Sequence, residues 1–433
     1  MARAPRGNRD SERLRSSLAT LEPPGIRDPS LGGRVLTRAQ GCRLKDVDGN
    51  WYVDLSSAFG VAAVGHRHPA VMAAIRRQAS RIPHGLGDLH PVDVAERLLR
   101  MLSGRLPAQD YRGVLSLNGS DAVETALKFA AAASGRPGIL AFEGGYHGLS
   151  LGALEATQLP RFRAPFQAIL GGRSRAAPFP RQDGSDRDRV LDEVRRLFRT
   201  PPVPGVMLIE PIQGRSGIRV PPPGFLRDLE GICREAGVFL VVDEVMTGVH
   251  RTGPFLRSQA EGVVPDGICL GKALGGGVPL SACLMRGSLA EALRDCTGEA
   301  PHTWTFLGNP LGCAAGIAVL RTMDRENLPG RVPAIEEAIR EAGNRWARDT
   351  GAVAEIRGAG ALMGIRLQTP GGGPPGDLGI RVMRRAWDKG VMLTLEGPDA
   401  DVLALLPPLS IPPRDLARAL ERVGDALREE AGR

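Results

Sequence analysis

The stretch that decides the fold is Val238-Phe239-Leu240-Val241-Val242-Asp243, five apolar residues closed by an aspartate. A second stretch, Gly271-Lys272-Ala273-Leu274-Gly275-Gly276-Gly277, follows it along the chain. Among the 56 lysines and arginines, the lysines are only Lys45, Lys128, Lys272 and Lys389. A short apolar run is typical of a buried strand. The sequence therefore places an acid at the end of a strand and a rare lysine beside glycines.

This pair of residue types indicates one kind of chemistry. An amine becomes a nucleophile when it loses its proton, whereas a guanidinium keeps its proton, so a lysine in an arginine-rich chain is informative. Pyridoxal phosphate needs an amine to bind its aldehyde and a buried carboxylate to keep its pyridine nitrogen protonated. We therefore expect pyridoxal 5'-phosphate as the cofactor, with Lys272 and Asp243 as the catalytic residues.

Composition excludes several other classes of protein. The chain has 433 residues, 42% of them hydrophobic and 24% charged, which suits a large soluble enzyme with two domains. Its net charge of +8 is spread along the chain without a basic stripe, so we expect no nucleic-acid partner. Six cysteines without a CxxC pair favour a reducing compartment, and no apolar stretch is long enough to span a membrane. We expect a cytoplasmic protein without a metal site.

The order of patterns along the chain predicts the architecture. Residues 34–60 alternate around Asp48-Gly49-Asn50, which is a hairpin signal. Residues 62–325 alternate helical stretches with short apolar strands, predicted at 114–117, 138–142, 206–209, 239–242 and 267–270. Such alternation indicates an α/β fold with a mainly parallel sheet covered by helices. A predicted helix at 332–349 and predicted strands near 361–367 and 402–405 indicate a second, smaller α/β domain. Residues 369–376 are rich in glycine and proline and indicate a loop.

These patterns divide the chain into three parts. We predict that residues 1–61 contribute to the small domain, that 62–325 form the large cofactor-binding domain, and that 326–433 complete the small domain. Residues 1–17 are arginine-rich and indicate either a loosely ordered tail or a short helix lying on a partner subunit.

Two loops between predicted strands and helices carry candidate cofactor contacts. Gly119 and Ser120 open a helix predicted at 123–133, where free N–H groups and the helix dipole favour a phosphate. The alternative for this turn is an ordinary capped helix. Tyr146 can lie on the pyridine ring at the carboxyl edge of the sheet, or it can be a packing aromatic. His147 can be catalytic or can simply bind the backbone.

A series of ordered motifs gives the chain a resemblance to a known family. They are Asp46-Val47-Asp48-Gly49-Asn50, Gly65-His66-Arg67-His68-Pro69, Gly119-Ser120-Asp121-Ala122, Tyr146-His147-Gly148, Glu210-Pro211-Ile212-Gln213-Gly214, Asp243-Glu244-Val245, Thr247-Gly248, Arg251-Thr252-Gly253, the Lys272 stretch and Thr305-Phe306-Leu307-Gly308-Asn309-Pro310. In these motifs the chain resembles the class III pyridoxal-phosphate aminotransferases of fold type I, which include ornithine and 4-aminobutyrate transaminases. The resemblance covers residues 41–408.

The resemblance implies roles for individual residues. Lys272 would be the Schiff-base lysine, Asp243 the partner of the pyridine nitrogen and Tyr146 the stacking ring. Gly119 and Ser120 would bind the phosphate, together with Thr305 from the other subunit, so that a homodimer with shared active sites is implied. Glu210, His147 and Gln213 match positions near the cofactor; for Gln213 the alternative is a loop residue that binds backbone groups.

Departures from the family concern the substrate more than the cofactor. Met246 stands where many members have a glutamine that bonds the phenolic oxygen of the cofactor, and methionine cannot donate that bond. An arginine that binds the α-carboxylate of glutamate in ornithine-type members is Ala404 here, and the glutamate that masks it is Arg215. We hypothesise that Arg215 binds a substrate carboxylate. Alternatively, Arg215 points to solvent or pairs with an acid such as Glu244.

The resemblance implies an aminotransferase that moves an amino group between an amino acid or amine and a keto acid or aldehyde by a ping-pong mechanism. Its partners would be a small-molecule amino donor and a carbonyl acceptor. A racemase, an epimerase or an aminomutase uses the same residues and remains the alternative. A non-catalytic binding module is disfavoured because Lys272 and Asp243 are intact. Side chains such as Phe59, Leu86, Arg161 and Arg163 are candidates for lining the pocket, and the alternative for Arg161 and Arg163 is a position on a loop surface. The sequence leaves the substrate open.

Overall fold

The computed structural model describes residues 7–27 and 33–432. Its strands are β1 (Leu36–Gln40), β2 (Arg43–Asp46), β3 (Trp51–Asp54), β4 (Arg112–Ser116), β5 (Ile139–Phe142), β6 (Ser174–Ala177), β7 (Val206–Ile209), β8 (Phe239–Asp243), β9 (Gly267–Leu270), β10 (Ser281–Met285), β11 (Val353–Ala359), β12 (Leu362–Leu367), β13 (Val391–Met392), β14 (Thr394–Glu396) and β15 (Val402–Leu405).

Helices surround these strands. They are α1 (Arg9–Leu21), α2 (Ser57–Gly60), α3 (Pro69–Arg81), α4 (Asp93–Ser103), α5 (Gly119–Ser134), α6 (Leu151–Ala156), α7 (Pro160–Arg163), α8 (Arg187–Arg199), α9 (Phe225–Ala236), α10 (Gly287–Ala290), α11 (Pro310–Arg325), α12 (Val332–Thr350), α13 (Leu378–Asp388) and α14 (Pro413–Ala431). Short 3₁₀ turns lie at Ala164–Ile169, Ser258–Glu261, Lys272–Gly275 and Pro329–Arg331. None of these helices combines the length and the apolar composition needed to cross a lipid bilayer.

A seven-stranded sheet forms the centre of the molecule, in the order β4-β10-β9-β8-β7-β5-β6. Only β10 runs antiparallel to its neighbours, so the predicted mainly parallel α/β sheet is confirmed. All five strands predicted for this region are present within one or two residues of their predicted ends. Because parallel strands end at the same edge, the loops that follow β4, β5, β7, β8 and β9 meet there.

The interior of this sheet is apolar. Strands β5, β7, β8 and β9 are buried on both faces, which explains their continuous apolar runs. Cys233, Cys269 and Cys283 are buried and fill part of this core. Cys269 and Cys283 lie opposite each other in β9 and β10.

Two smaller sheets flank the central one. The predicted hairpin is confirmed as β2 and β3, joined at Asp48-Gly49-Asn50, and its sheet has the order β1-β2-β3-β13. Parallel pairing of β3 with β13 joins the amino-terminal segment to the carboxyl-terminal part of the chain. The second sheet, β11-β12-β15-β14, is antiparallel, and α12 packs against it. The domain boundaries at residues 61 and 325 stay predictions.

The sequence left two structures open for the amino-terminal residues, and the structure shows the helix and not the loose tail. Residues predicted as either a loose tail or a short helix form α1, while residues 1–6 lie outside the described part. Asp48 holds the start of this helix, because its carboxylate accepts the backbone N–H of Asp10 at 2.8 Å and of Ser11 at 3.1 Å. The hairpin turn thus anchors α1. Whether α1 also lies on a partner subunit stays a prediction.

Candidate active site

A cleft of about 440 Å³ opens at the carboxyl edge of the central sheet. Its walls come from the loops that follow β4, β5, β7, β8 and β9, and they include Lys272, Asp243, Ser120 and Tyr146. Four separate strand ends therefore deliver the side chains that the sequence singled out to one cavity. Among the described residues, no group of histidine, cysteine, aspartate and glutamate side chains could hold a metal ion.

Lys272 stands just after β9, in a 3₁₀ turn that begins after Gly271. Its backbone φ of 35° is in the left-handed region, a conformation that costs free energy for a residue with a side chain and is common at functional sites. Burial lowers the pKa of Lys272, although the nearby carboxylates Asp243 and Glu210 act in the opposite direction. A lowered pKa increases the fraction of neutral amine, which is the nucleophilic form.

Asp243 is the last residue of β8 and pairs with Cys269 in the neighbouring strand, which leads to Lys272 three residues later. Its Oδ2 lies 2.8 Å from Nδ1 of His147, and its Oδ1 accepts the N–H of Val245 at 3.1 Å. The His147 side chain is buried, and its backbone N–H donates to Thr157 at 2.9 Å. His147 therefore orients the Asp243 carboxylate. This role is neither of the two that the sequence left open, which were catalysis and binding of the backbone alone.

The start of α5 lines the cleft with Asn118, Gly119 and Ser120. Asn118 caps the helix by accepting the N–H of Asp121 at 3.1 Å, and Gly119 and Ser120 occupy the first helical positions. A Cβ at Gly119 would lie 2.9 Å from Val245, and a Cβ at Gly148 would lie 2.1 Å from Oγ of Ser120. Only glycines permit this close approach of backbone. Free N–H groups at a helix start and a serine hydroxyl are the donors that bind a phosphate.

Tyr146 also stands on the cleft wall. Its ring contacts that of Phe162 edge to face, with centroids 5.2 Å apart, and burial raises the pKa of its hydroxyl. The backbone N–H of Tyr146 donates to Oε1 of Glu210 at 2.9 Å. Tyr146 is thus fixed by its own backbone and by one neighbouring ring, and it lines the same cleft as Lys272.

Glu210, directly after β7, joins two loops of the site. Its Oε1 accepts from Tyr146, and its Oε2 accepts the N–H of Gly214 at 3.0 Å. Burial raises the pKa of Glu210 to about 7. Gln213 faces away from the cleft, where its amide donates to the carbonyl of Glu143 at 2.9 Å, which supports the alternative of a loop residue that binds backbone groups. Met246 lines the cleft and, as expected, presents no donor there.

Arg215 lines the cleft and forms an ion pair that the sequence did not reveal. Its Nη1 lies 2.9 Å from Oε1 of Glu396 at the end of β14. Its Cζ lies 5.8 Å from the ring centre of Phe59 and 5.9 Å from that of Tyr146. The suggested partner Glu244 is wrong, because Glu244 is turned into the protein and accepts the N–H of Ser258 at 2.7 Å. No local pattern marks Glu396, since its contact depends on two distant segments folding together.

Two further candidates lie apart from the cleft. Thr305 is exposed in a turn before α11 and does not reach the Lys272 cleft of its own chain. Arg163 binds backbone carbonyls, including that of Thr157 at 2.8 Å, and so fastens its own loop. Ala404, the position of the family arginine, is buried in β15.

The residues of the cleft fit the expected cofactor. They supply a buried amine for an aldehyde, a carboxylate for a ring nitrogen, a glycine-lined helix start for a phosphate and an aromatic wall for a planar ring. The volume of the cleft suits a small-molecule ligand.

Comparison with known proteins gives a consistent result. The family model for aminotransferase class III matches residues 28–427. The chain is 35% identical to an acetylornithine aminotransferase of Methanopyrus kandleri over 91% of the chain and 94% of that protein. It is 31% identical to a 5-aminovalerate aminotransferase of Pseudomonas aeruginosa over 92% of the chain and 94% of that protein.

Solved structures agree with these relatives. The ornithine aminotransferase of Toxoplasma gondii superposes with a TM-score of 0.85 at 26% identity, over 98% of this chain and 96% of that one. An amine transaminase from an uncultivated Pseudomonas species, solved with pyridoxal phosphate bound, superposes with a TM-score of 0.86 at 26% identity, over 94% of this chain and 98% of that one.

Proposed function

Because the chain belongs to the class III aminotransferases, we propose that its cleft carries out amino-group transfer with Lys272 and Asp243 as the catalytic residues. The protein is a pyridoxal-phosphate-dependent enzyme that moves an amino group between an amine or amino acid and a keto acid or aldehyde. The observation that carries the assignment of residues is the position of Lys272 and Asp243 at the ends of adjacent parallel strands, facing one cavity.

The described residues divide the work of holding the cofactor. Gly119 and Ser120 would bind the phosphate, Tyr146 would lie against the ring, and Asp243 would face the ring nitrogen with His147 behind it. The bound cofactor supplies an electron-accepting ring that acidifies the carbon bearing the substrate amine. Glu210 holds the Tyr146 loop in place, and Met246 limits the cleft on the side of Gly214.

Lys272 has two tasks. Its Nζ would hold the aldehyde of the cofactor between turnovers. In the donor half-reaction its neutral amine would take the proton from the substrate carbon and deliver it to the cofactor, and in the acceptor half-reaction it would carry a proton in the opposite direction. Burial, which lowers the pKa of Lys272, supports this use of the amine as a base. The Asp243 carboxylate would lie beside the ring nitrogen in both half-reactions.

Arg215 would bind a carboxylate on the substrate. It lines the cleft near Lys272, and its guanidinium can donate two parallel hydrogen bonds to a carboxylate. Relatives of the chain include enzymes named for 5-aminovalerate and 4-aminobutyrate, and each of these compounds carries a carboxylate at the end opposite its amine. We therefore place the substrate among ω-amino acids and related amino acids.

A homodimer would complete each active site. Thr305 is exposed and does not line the cleft of its own chain, and the exposed apolar side chains include its neighbour Phe306 together with Leu86 and Leu89. A groove of about 900 Å³, whose lining includes Gly87 and Leu307, would receive the second subunit. Thr305 would then donate its hydroxyl to the phosphate in the partner cleft. Mixing a Lys272→Ala chain with a Thr305→Ala chain should restore one intact site per mixed dimer, and a mixture no more active than its parts would contradict the sharing.

We propose the cytoplasm as the location of the enzyme. All six cysteines are free thiols, five of them buried, which suits a reducing compartment. Fractionation of the source cells with an antibody against the chain tests the location directly.

A single-turnover experiment tests the proposed reaction. The purified holoenzyme is mixed with 5-aminopentanoate and no carbonyl acceptor, and the aldehyde product is counted. An aminotransferase should release about one product per active site and then stop until a keto acid is added. A racemase or an aminomutase would release no aldehyde under these conditions, so absence of the burst with a panel of amino donors would contradict the proposed function.

A further inference from the structure

The end of β14 holds Arg215 at two points. Oε1 of Glu396 accepts from Nη1 of Arg215 at 2.9 Å, and the N–H of Gly397 donates to the carbonyl of Arg215 at 3.2 Å. The carbonyl of Gly397 also accepts from Nη1 of Arg161 at 3.3 Å. This corner of the chain therefore contacts Arg215, which lines the cleft, and also Arg161.

The hydrogen bonds of Arg215 leave one side of the guanidinium available. Within the described part of the chain, Nη1 is occupied by Glu396, whereas Nε and Nη2 have no hydrogen-bond partner. These two nitrogens form the edge that binds a carboxylate through two parallel bonds. Because Arg215 is partly exposed and lines the cleft, this free edge is accessible to a ligand.

The position of Glu396 suits it to hold Arg215 and not to bind a ligand itself. Its side chain is 1% exposed, and its Oε2 is buried without a hydrogen-bond partner among the described residues. A buried oxygen without a partner is costly and is kept mainly where function requires the group. The carboxylate thus contributes a single directed bond to Arg215 from behind.

The charges of Arg215, Arg161 and Glu396 favour the binding of one more anion. Arg215 and Arg161 are close enough for the charge of Arg215 to help lower the pKa of Arg161, after the larger effect of burial. Glu396 is the acid that both arginines face in this corner. Two guanidinium groups against one carboxylate leave an excess positive charge, which a substrate carboxylate neutralises.

We propose that Glu396 is a positioning residue, which holds one edge of Arg215 so that the opposite edge binds the substrate carboxylate. This inference rests on the proposed role of Arg215. Glu396 and the substrate would occupy different edges of the guanidinium at the same time, so Glu396 would support substrate binding and would not compete with it.

The test uses pentanoate, a carboxylate without an amine, titrated into the holoenzyme by calorimetry. Glu396→Ala should raise the Kd for pentanoate about tenfold, in line with the loss of one hydrogen bond to a charged group. Glu396→Gln should return the Kd to within about threefold of the original value, because the amide oxygen still accepts from Nη1. Turnover of pentylamine, which has no carboxylate, should fall by a smaller factor in Glu396→Ala than the affinity for pentanoate does.

Controls separate a specific effect from a general one. Glu430→Ala removes another buried carboxylate, which lies 3.2 Å from Arg385 outside the cleft, and should leave pentanoate binding unchanged. Thermal melting of all variants identifies losses of folding, and Glu396→Gln retains the shape of the side chain.

Each remaining outcome identifies what fails. Tighter pentanoate binding in both Glu396 variants would show competition and overturn the inference, as would unchanged binding in Glu396→Ala. If Arg215→Ala weakens binding while Glu396→Ala does not, only the inference fails. If Arg215→Ala leaves binding unchanged, the proposed carboxylate site itself fails, and the inference with it.

Discussion

At the inner end of the cleft, Lys272 and Asp243 follow adjacent strands of one sheet, whereas at its mouth Arg215 is held by Glu396 from another sheet, 181 residues further along the chain. The inner end is fixed by the ladder between β8 and β9, so its geometry is set wherever the central sheet forms. The mouth exists only when the carboxyl-terminal sheet docks against the loop after β7.

This difference separates chemistry from specificity. In the proposed function, the groups that would serve every substrate follow strands of the central sheet, and the groups that would select a substrate lie where two parts of the chain meet. A change in β14 can therefore alter which substrate binds without moving Lys272. Variants at the inner end should impair all substrates alike, and variants at the mouth should distinguish substrates by their charge.

The largest effect is expected for Lys272→Ala. Loss of the amine removes both the covalent holding group and the base, so turnover should fall by at least about 10⁴-fold for every amino donor. Lys128→Ala, which removes an exposed lysine on α5, should retain full activity. Borohydride treatment followed by peptide mass spectrometry should place the cofactor on Lys272. A tag on another lysine would contradict the assignment of the inner end.

Asp243→Asn should have the next largest effect. It removes the negative charge beside the cofactor ring, and loss of a preorganised electrostatic group of this kind lowers kcat roughly a hundred- to a thousandfold. KM should change little, since Asp243 does not contact the substrate. Asp266→Asn is a matched control at the opposite edge of the same strands, where Oδ2 accepts the N–H of Leu240 at 2.9 Å. Equal losses in both variants would point to stability and not to catalysis.

The inner end was also the part that sequence could predict. Lys272, Asp243 and Tyr146 each follow an apolar run, and the carboxyl ends of parallel strands meet at one edge, so their proximity follows from local patterns. Five strands of the central sheet and the amino-terminal hairpin could be predicted from local patterns as well, whereas β6 and the antiparallel β10 were not predicted. The contact between His147 and Asp243 could not be predicted, because the local sequence fits a catalytic histidine and a structural one equally well.

A third prediction concerns the mouth of the cleft. Arg215→Ala should raise KM for 5-aminopentanoate about fiftyfold, because a bidentate hydrogen bond between charged groups is lost. kcat should stay within a few-fold, and KM for pentylamine should change little. Steady-state kinetics with the two compounds in the same variant provides its own control. Equal changes for both compounds would remove the carboxylate role of Arg215.

The partner of Arg215 shows where sequence reasoning ends. The sequence shows that Arg215 is charged, and an ion pair with an acid was one of the predicted alternatives. Glu244, the acid suggested for that pair, instead accepts the N–H of Ser258. Glu396 lies in a three-residue strand whose position depends on pairing with β15 and on docking against a loop of the central sheet. Such a contact depends on tertiary packing and leaves no periodic pattern in the sequence.

The smallest effect on activity is expected at Glu210, which joins the two ends through Tyr146 and Gly214. Its pKa, raised by burial from 4.5 to about 7, makes folding depend on pH. Between these values the folded protein keeps a proton that the unfolded chain has lost, so the contribution of Glu210 to stability is full below pH 4.5 and is lost as the pH rises through 7.

Glu210→Gln should remove a pH-dependent change on the order of 3 kcal/mol in the free energy of unfolding of the cofactor-free protein. Denaturant titrations of the two proteins from about pH 5 to about pH 8 should give curves that diverge with pH. Curves that run parallel would mean that Glu210 is already ionised in the folded state, and that its bonds to the two backbone N–H groups outweigh its burial.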